Sequence, residues 1–181
     1  MKNKFITIPN LLSLFRLLLI PLLIWLYLFR GDNTWAIAVL ALSALTDIVD
    51  GFIARRFNMI SDLGKILDPI ADKLTQAAVL LMIALRFVPV RFLLGFLVVK
   101  ELTLGIVGLL VVRRTGVVTG AHWHGKLCTV VLFAVMAAHM IFPNMASEVS
   151  VVLVCAAAAI MILSLTLYLT EDFKMLKNAK A

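Results

Sequence analysis

Asp47, Asp50, Gly51, Ala54, Arg55, Gly64, Asp68 and Asp72 fall in the spacing D-x2-D-G-x2-A-R-x8-G-x3-D-x3-D. Four carboxylates in such a pattern offer hard oxygen ligands, the type preferred by Mg²⁺ or Mn²⁺. Arg55 adds a planar fork that matches phosphate. Gly51 and Ala54 lack bulk beside the acids, so a flat base or a pyrophosphate can approach the backbone there. Gly64 serves the same end on the following segment. Metal-binding acids beside a phosphate-binding arginine point to phosphoryl chemistry.

The positioning elements follow from the spacings. Asp47 and Asp50 are i, i+3 and share one helix face, with Ala54 one turn further along it. Gly64, Asp68 and Asp72 are i, i+4, i+8 and make a second stripe. Two antiparallel helices can aim these stripes into a shared crevice. Pro69 suits either a first helical turn with Asp68 near the cap, or a kink in a longer helix. The plain alternative is a set of solvated acids balanced by Arg55, Arg56, Lys65 and Lys73. At background frequencies of roughly 5–7% per residue, all eight positions coincide by chance on the order of once in 10¹⁰.

The rest of the chain is built for lipid. Of its 181 residues, 63% are hydrophobic, and the mean hydropathy is +1.08. A soluble domain is nearer about 45–50% apolar. A spanning helix needs about 20 apolar residues. Six runs qualify, near 9–29, 34–55, 69–87, 91–112, 125–142 and 148–169. Helices are the expected spanning form, since an open sheet leaves backbone groups unpaired in hydrocarbon. The expectation is an all-α polytopic membrane protein with six transmembrane helices in a single domain, residues 1–181. The first run continues through Leu28 with no small-residue cleavage site, so it reads as a retained span.

Positive charge gives the orientation. Lys2, Lys4, Arg55, Arg56, Lys65, Arg113, Arg114, Lys126, Lys174, Lys177 and Lys180 collect on one side, against Arg30, Arg86 and Arg91 on the other. The richer side faces the cytoplasm. Both termini and the acidic motif are then cytoplasmic, at a cell (inner) membrane. The net charge of +7 fits anionic lipid headgroups and gives no reason to invoke nucleic acid. Cys128 and Cys155 lie in apolar runs and read as small buried hydrophobes.

The segment Thr46 to Lys73, TDIVDGFIARRFNMISDLGKILDPIADK, resembles the signature of the CDP-alcohol phosphotransferase family at all eight fixed positions. Ile8-Pro9-Asn10-Leu11-Leu12 followed by Arg16 also resembles bacterial members that make phosphatidylglycerophosphate or cardiolipin. The resemblance implies the family's fold and its reaction, transfer of a phosphatidyl group from CDP-diacylglycerol to an alcohol with release of CMP. It implies that Asp47, Asp50, Asp68 and Asp72 hold two Mg²⁺ or Mn²⁺ ions, with Asp72 also the catalytic base. It places Asp47, Asp50, Gly51, Ala54, Arg55, Gly64 and Asp68 at the CDP-donor site. It further implies a homodimer.

The acceptor alcohol is expected to be glycerol 3-phosphate, with phosphatidylglycerol as the alternative. Either carries phosphate and wants cations, for which Lys126, Arg113, Arg114 and Lys65 are the candidates. Gly125-Lys126 with Thr129 resembles a G-K-x-x-T segment of the phosphatidylglycerophosphate-forming members. Those members often carry Arg-Glu where this chain has Lys100-Glu101, which keeps the alternative open. Adjacent helical residues do not face one another, so Lys100 and Glu101 are expected to need separate partners. His122 and His124 are expected to be interfacial residues beside Trp123, and His139 has no assigned role. A rival of another class is an ion-coupled transporter, since intramembrane acids also mark ion pathways. Its sites usually lie at the midplane, away from where these acids cluster.

Overall fold

The computed structural model describes residues 7–57, 64–116 and 123–178, with the side chains of Ala54, Arg55, Lys65, Ile66 and Asn178 outside that description. Six α-helices account for nearly all of it, and no strand occurs among the described residues. They are α1 (Ile8–Ile24), α2 (Asn33–Arg56), α3 (Gly64–Arg86), α4 (Val88–Thr115), α5 (Trp123–Ile141) and α6 (Ser147–Asn178).

Local chemistry sets the ends. Thr7 caps α1 by accepting from the Asn10 N–H at 3.4 Å, with Pro9 in the first turn, where its missing donor costs nothing. Beyond Ile24 the helix widens into a π-helical stretch, Trp25–Arg30, and stops at Gly31. Gly31 has φ 67°, a left-handed conformation that a residue without Cβ adopts at little cost. Asp32 caps α2 through the Trp35 N–H. Between α3 and α4 only Phe87 intervenes, and Arg91 Nε donates to the Ala84 carbonyl at 2.9 Å, near the C-terminus of α3.

The helix α3 begins at Gly64, before its apolar run, and continues through Pro69. Of the two readings of Pro69, the longer helix holds, and the ring removes the bond to the Lys65 carbonyl. Asp68 and Asp72 therefore both ride on helix.

Among the described residues, five helices are long and apolar enough to cross a membrane, over Ile8–Arg30, Asn33–Ile53, Val88–Thr115, Trp123–Ile141 and Ser147–Lys177. The remaining one, α3, has 23 residues, a sufficient length at about 1.5 Å per residue. Asp68, Asp72, Lys73 and Arg86 keep it out of that set. Of the six expected crossings, five thus stand on length and composition, and α3 on length alone.

The helices group into two compact units, Met1–Met82 and Ile83–Ala181. In the first, α1 packs along α2. In the second, α6 packs on both α4 and α5. Polarity is distributed as lipid demands. Ser13, Arg16, Ser43, Thr75 and Gln76 are buried in the first unit, while Leu18, Leu22, Ile48 and Phe52 are exposed. Backbone and polar side chains must be satisfied internally in hydrocarbon, whereas outward apolar side chains cost nothing there.

Candidate functional site

A buried arginine organises the acids of the first unit. Arg16 lies on α1, and its side chain is 2% exposed. Its Nη2 sits 2.6 Å from Oδ2 of Asp50, and its Nη1 pairs with Oδ1 of Asp47. The i, i+3 spacing on α2 lets one guanidinium grip both carboxylates. Depth matches as well. Arg16 is eight residues from the start of α1, and Asp47 nine from the end of α2. At about 1.5 Å per residue, each lies roughly 12–14 Å along its helix.

Ser13 joins the second acidic pair to the first. Its hydroxyl faces Oδ1 of Asp68 at close range, Oδ2 of Asp50 at 3.5 Å and the Pro9 carbonyl at 3.0 Å. A hydroxyl carries one proton, so at any instant it donates to only one of these three. Asp72, one turn beyond Asp68, accepts from Nε2 of Gln76 at 3.0 Å. It lies within Coulombic reach of Asp47, Arg16 and Lys73. The four acids thus form one electrostatic cluster, carried by α2 and α3 and stitched together from α1.

Their exposure differs. Asp50 is buried and Asp47 is half-exposed, its side chain at 49%. Asp68 and Asp72 are intermediate, as is Gly51, whereas Gly64 is buried. The expected roles of Ala54, Arg55 and Lys65 concern side chains outside the described residues, and His122 lies outside them altogether.

The donor set fits a hard divalent cation in kind. Each ionised carboxylate accepts through about four lone-pair sites. Facing them among the described residues are the Arg16 fork, the Ser13 hydroxyl, the Gln76 amide and, within Coulombic reach of Asp72, Lys73. Acceptors outnumber donors, and negative charge outnumbers positive. In spacing, no group of three or more His, Cys, Asp or Glu among the described residues is arranged to hold an ion. The cation gripping Asp47 and Asp50 is the guanidinium.

Ser13 and Arg16 were not among the residues singled out as site-forming. A signal existed, because a charge within an apolar span needs a partner, and that rule applies to Arg16 as it does to the acids.

A family model described as CDP-alcohol phosphatidyltransferase matches residues 6–170. The chain belongs to the CDP-alcohol phosphatidyltransferase family. A cardiolipin synthase (CMP-forming) of Streptomyces coelicolor is 42% identical over 120 residues, 63% of this chain and 55% of that protein. A CDP-diacylglycerol–glycerol-3-phosphate 3-phosphatidyltransferase of Aquifex aeolicus is 40% identical over 111 residues, 59% of this chain and 61% of that protein. A putative cardiolipin synthase of Mycobacterium tuberculosis is 39% identical over 110 residues, 60% and 53% respectively. The chain thus spans about half to three-fifths of the length of these curated relatives.

In this CDP-alcohol phosphatidyltransferase chain, the remaining acceptor candidates lie in the second unit. Arg113 and Arg114 are exposed in the last turn of α4, and Lys126 is exposed in the first turn of α5. Two expectations need correcting there. Lys100 and Glu101 pair with each other, Nζ to Oε1 at 3.0 Å, although they are neighbours on α4. The long lysine stem spans the angle that separates adjacent helical positions. His124 stands in the first turn of helix α5 rather than in a loop, and it is buried beside Trp123. Its Nδ1 lies 3.5 Å from the Ser164 hydroxyl and its ring packs edge-on against Tyr168, both on α6. His139, left without a role, is fully buried. It bridges the Val135 carbonyl at 2.8 Å and Ser150 Oγ at 2.9 Å, which ties α5 to α6.

Proposed function

We propose that this protein transfers a phosphatidyl group from CDP-diacylglycerol to the hydroxyl of a phosphate-bearing alcohol and releases CMP. The observation that carries this is the convergence of Asp47, Asp50 and Asp68 on the two side chains Arg16 and Ser13, within a chain of this family. In the reaction, the acceptor's hydroxyl oxygen attacks the phosphorus bonded to diacylglycerol. The bond from that phosphorus to the CMP oxygen breaks, CMP leaves as an anion, and the hydroxyl proton goes to Asp72. Gln76 holds Oδ2 of Asp72 and leaves Oδ1 for the hydroxyl. A carboxylate base needs to be ionised and within hydrogen-bond reach.

Asp47, Asp50, Asp68 and Asp72 would hold two Mg²⁺ or Mn²⁺ ions, and their surplus of oxygen acceptors supports this. The chemistry supplied by bound ions is neutralisation of charge on the diphosphate as CMP departs. Gly51, Ala54 and Gly64 leave room for the CDP moiety, and Arg55 takes a phosphate.

We read the acceptor as glycerol 3-phosphate, bound through Lys126, Arg113, Arg114 and Lys65. The name of the Aquifex relative supports this. The second reading, phosphatidylglycerol, is favoured by the name of the Streptomyces relative and by Lys100 in place of arginine. An assay of purified protein with labelled CDP-diacylglycerol and each acceptor in turn separates them. Product with phosphatidylglycerol alone rejects the first reading. Absence of CMP release with either acceptor rejects both readings of the acceptor.

The proposal extends to placement. The protein works as one domain across both units, since the family match runs through both. It sits in the cell membrane with its termini and acids facing the cytoplasm, and it is a homodimer.

A further inference from the structure

We propose that Arg16 is a tethered counter-ion, holding the metal-free acids in place and giving them up when a divalent cation binds. This positioning role rests on the metal-site reading above. A nine-tenths-buried guanidinium within an apolar helix needs anionic partners, and Asp47 and Asp50 supply them. Without it, two carboxylates on one face of α2 would repel each other and draw apart. With it, they stay one turn apart and aimed at α1.

The same contact stands in the way of an ion. A cation held by Asp47 and Asp50 would draw on the same two carboxylates that the guanidinium grips through Oδ1 of Asp47 and Oδ2 of Asp50, and it would meet the positive charge of Arg16. The two contacts are unequal. Asp50 is buried beside Arg16, and Asp47 is half-exposed at the outer edge. The exchange therefore begins at Asp47, where water can replace the departing N–H. Nε of Arg16 is buried and has no hydrogen-bond partner among the described residues, so it adds no third anchor to the fork. Arg16 then keeps Asp50 or passes its fork to another anion.

A competitor tied to the site reduces the ion's apparent affinity to the fraction of time that it leaves the ligands free. Its removal must tighten metal binding. A merely structural arginine predicts the reverse, because its loss would loosen the site. The experiment is Mn²⁺ titration of the full-length protein in detergent, read by the electron paramagnetic resonance of free Mn²⁺. It compares wild type with Arg16→Gln, Arg16→Lys and Asp50→Asn. The expected result is a dissociation constant at least tenfold lower for Arg16→Gln, with Arg16→Lys in between. In addition, metal-free Arg16→Gln should melt well below wild type and recover most of the difference in saturating Mg²⁺. Unchanged or weaker Mn²⁺ binding in both arginine variants overturns the proposal. If Arg16→Gln does not fold, Arg16→Lys alone decides, since a point charge on a shorter reach competes less well than a fork. Wild-type Mn²⁺ binding that Asp50→Asn leaves intact would place the metal elsewhere and end the metal-site reading as well.

Discussion

Nη2 of Arg16 and Oδ2 of Asp50 meet at 2.6 Å between α1 and α2, with both side chains almost wholly buried. This contact joins residues 34 positions apart. It fixes the register of α1 against the acidic face of α2.

Breaking that contact should cost stability before it costs chemistry. Arg16→Met leaves a buried carboxylate, Asp50, without its cation, and such losses run to about 3–5 kcal/mol. Equilibrium unfolding in metal-free detergent solution should show a drop of that order. A change under about 1 kcal/mol would mean that the pair contributes little to the fold.

Asp72→Asn keeps the size of the side chain and its contact with Gln76, but it removes the base. General-base catalysis contributes typically about 10²- to 10⁴-fold. CMP release should fall by at least 10²-fold on that scale, with the thermal unfolding curve unchanged. Full turnover would take the base role away from Asp72.

Gly125 faces the ring of Tyr168. A Cβ placed on Gly125 would overlap the phenol oxygen and lie 3.1 Å from two ring carbons. Gly125→Ala should therefore destabilise by roughly 1–3 kcal/mol, as overpacking usually does. Tyr168→Phe removes the atom in closest conflict, so the double variant should recover part of that loss. A double-mutant cycle measures the coupling, and additive effects would contradict this packing.

Ser150→Ala removes the α6 partner of His139 Nε2. Nδ1 faces the Val135 carbonyl, which can only accept, so Nδ1 carries the proton and Nε2 accepts from Ser150. The variant leaves a buried acceptor unsatisfied, at about 1–3 kcal/mol. Thermal unfolding should report it, and Ser150→Thr should retain most of the stability.

How much could be read in advance varied with the range of the interaction. The six helices, the acidic stripes on α2 and α3 and the polar turn at Gly31 all follow from period, run length and turn chemistry, which are local. The start of α3 at Gly64 did not follow from hydropathy, because Lys65, Asp68, Asp72 and Lys73 break the apolar run there. The pairing of Lys100 with Glu101 escaped the rule about facing positions, because that rule places Cβ atoms and ignores a four-carbon stem.

The amino-acid sequence by itself determined the spacing of the acids along each helix and the lipid-facing character of the chain. Each of these depends on residues within a turn or two of one another. Only the tertiary structure decided that Arg16 closes on Asp47 and Asp50, that Ser13 ties Asp68 to them, and that His139 and Ser150 clamp α5 to α6. Those contacts depend on how far one helix slides and turns against its neighbour. Packing and buried-charge energetics set that register, and no local pattern encodes it.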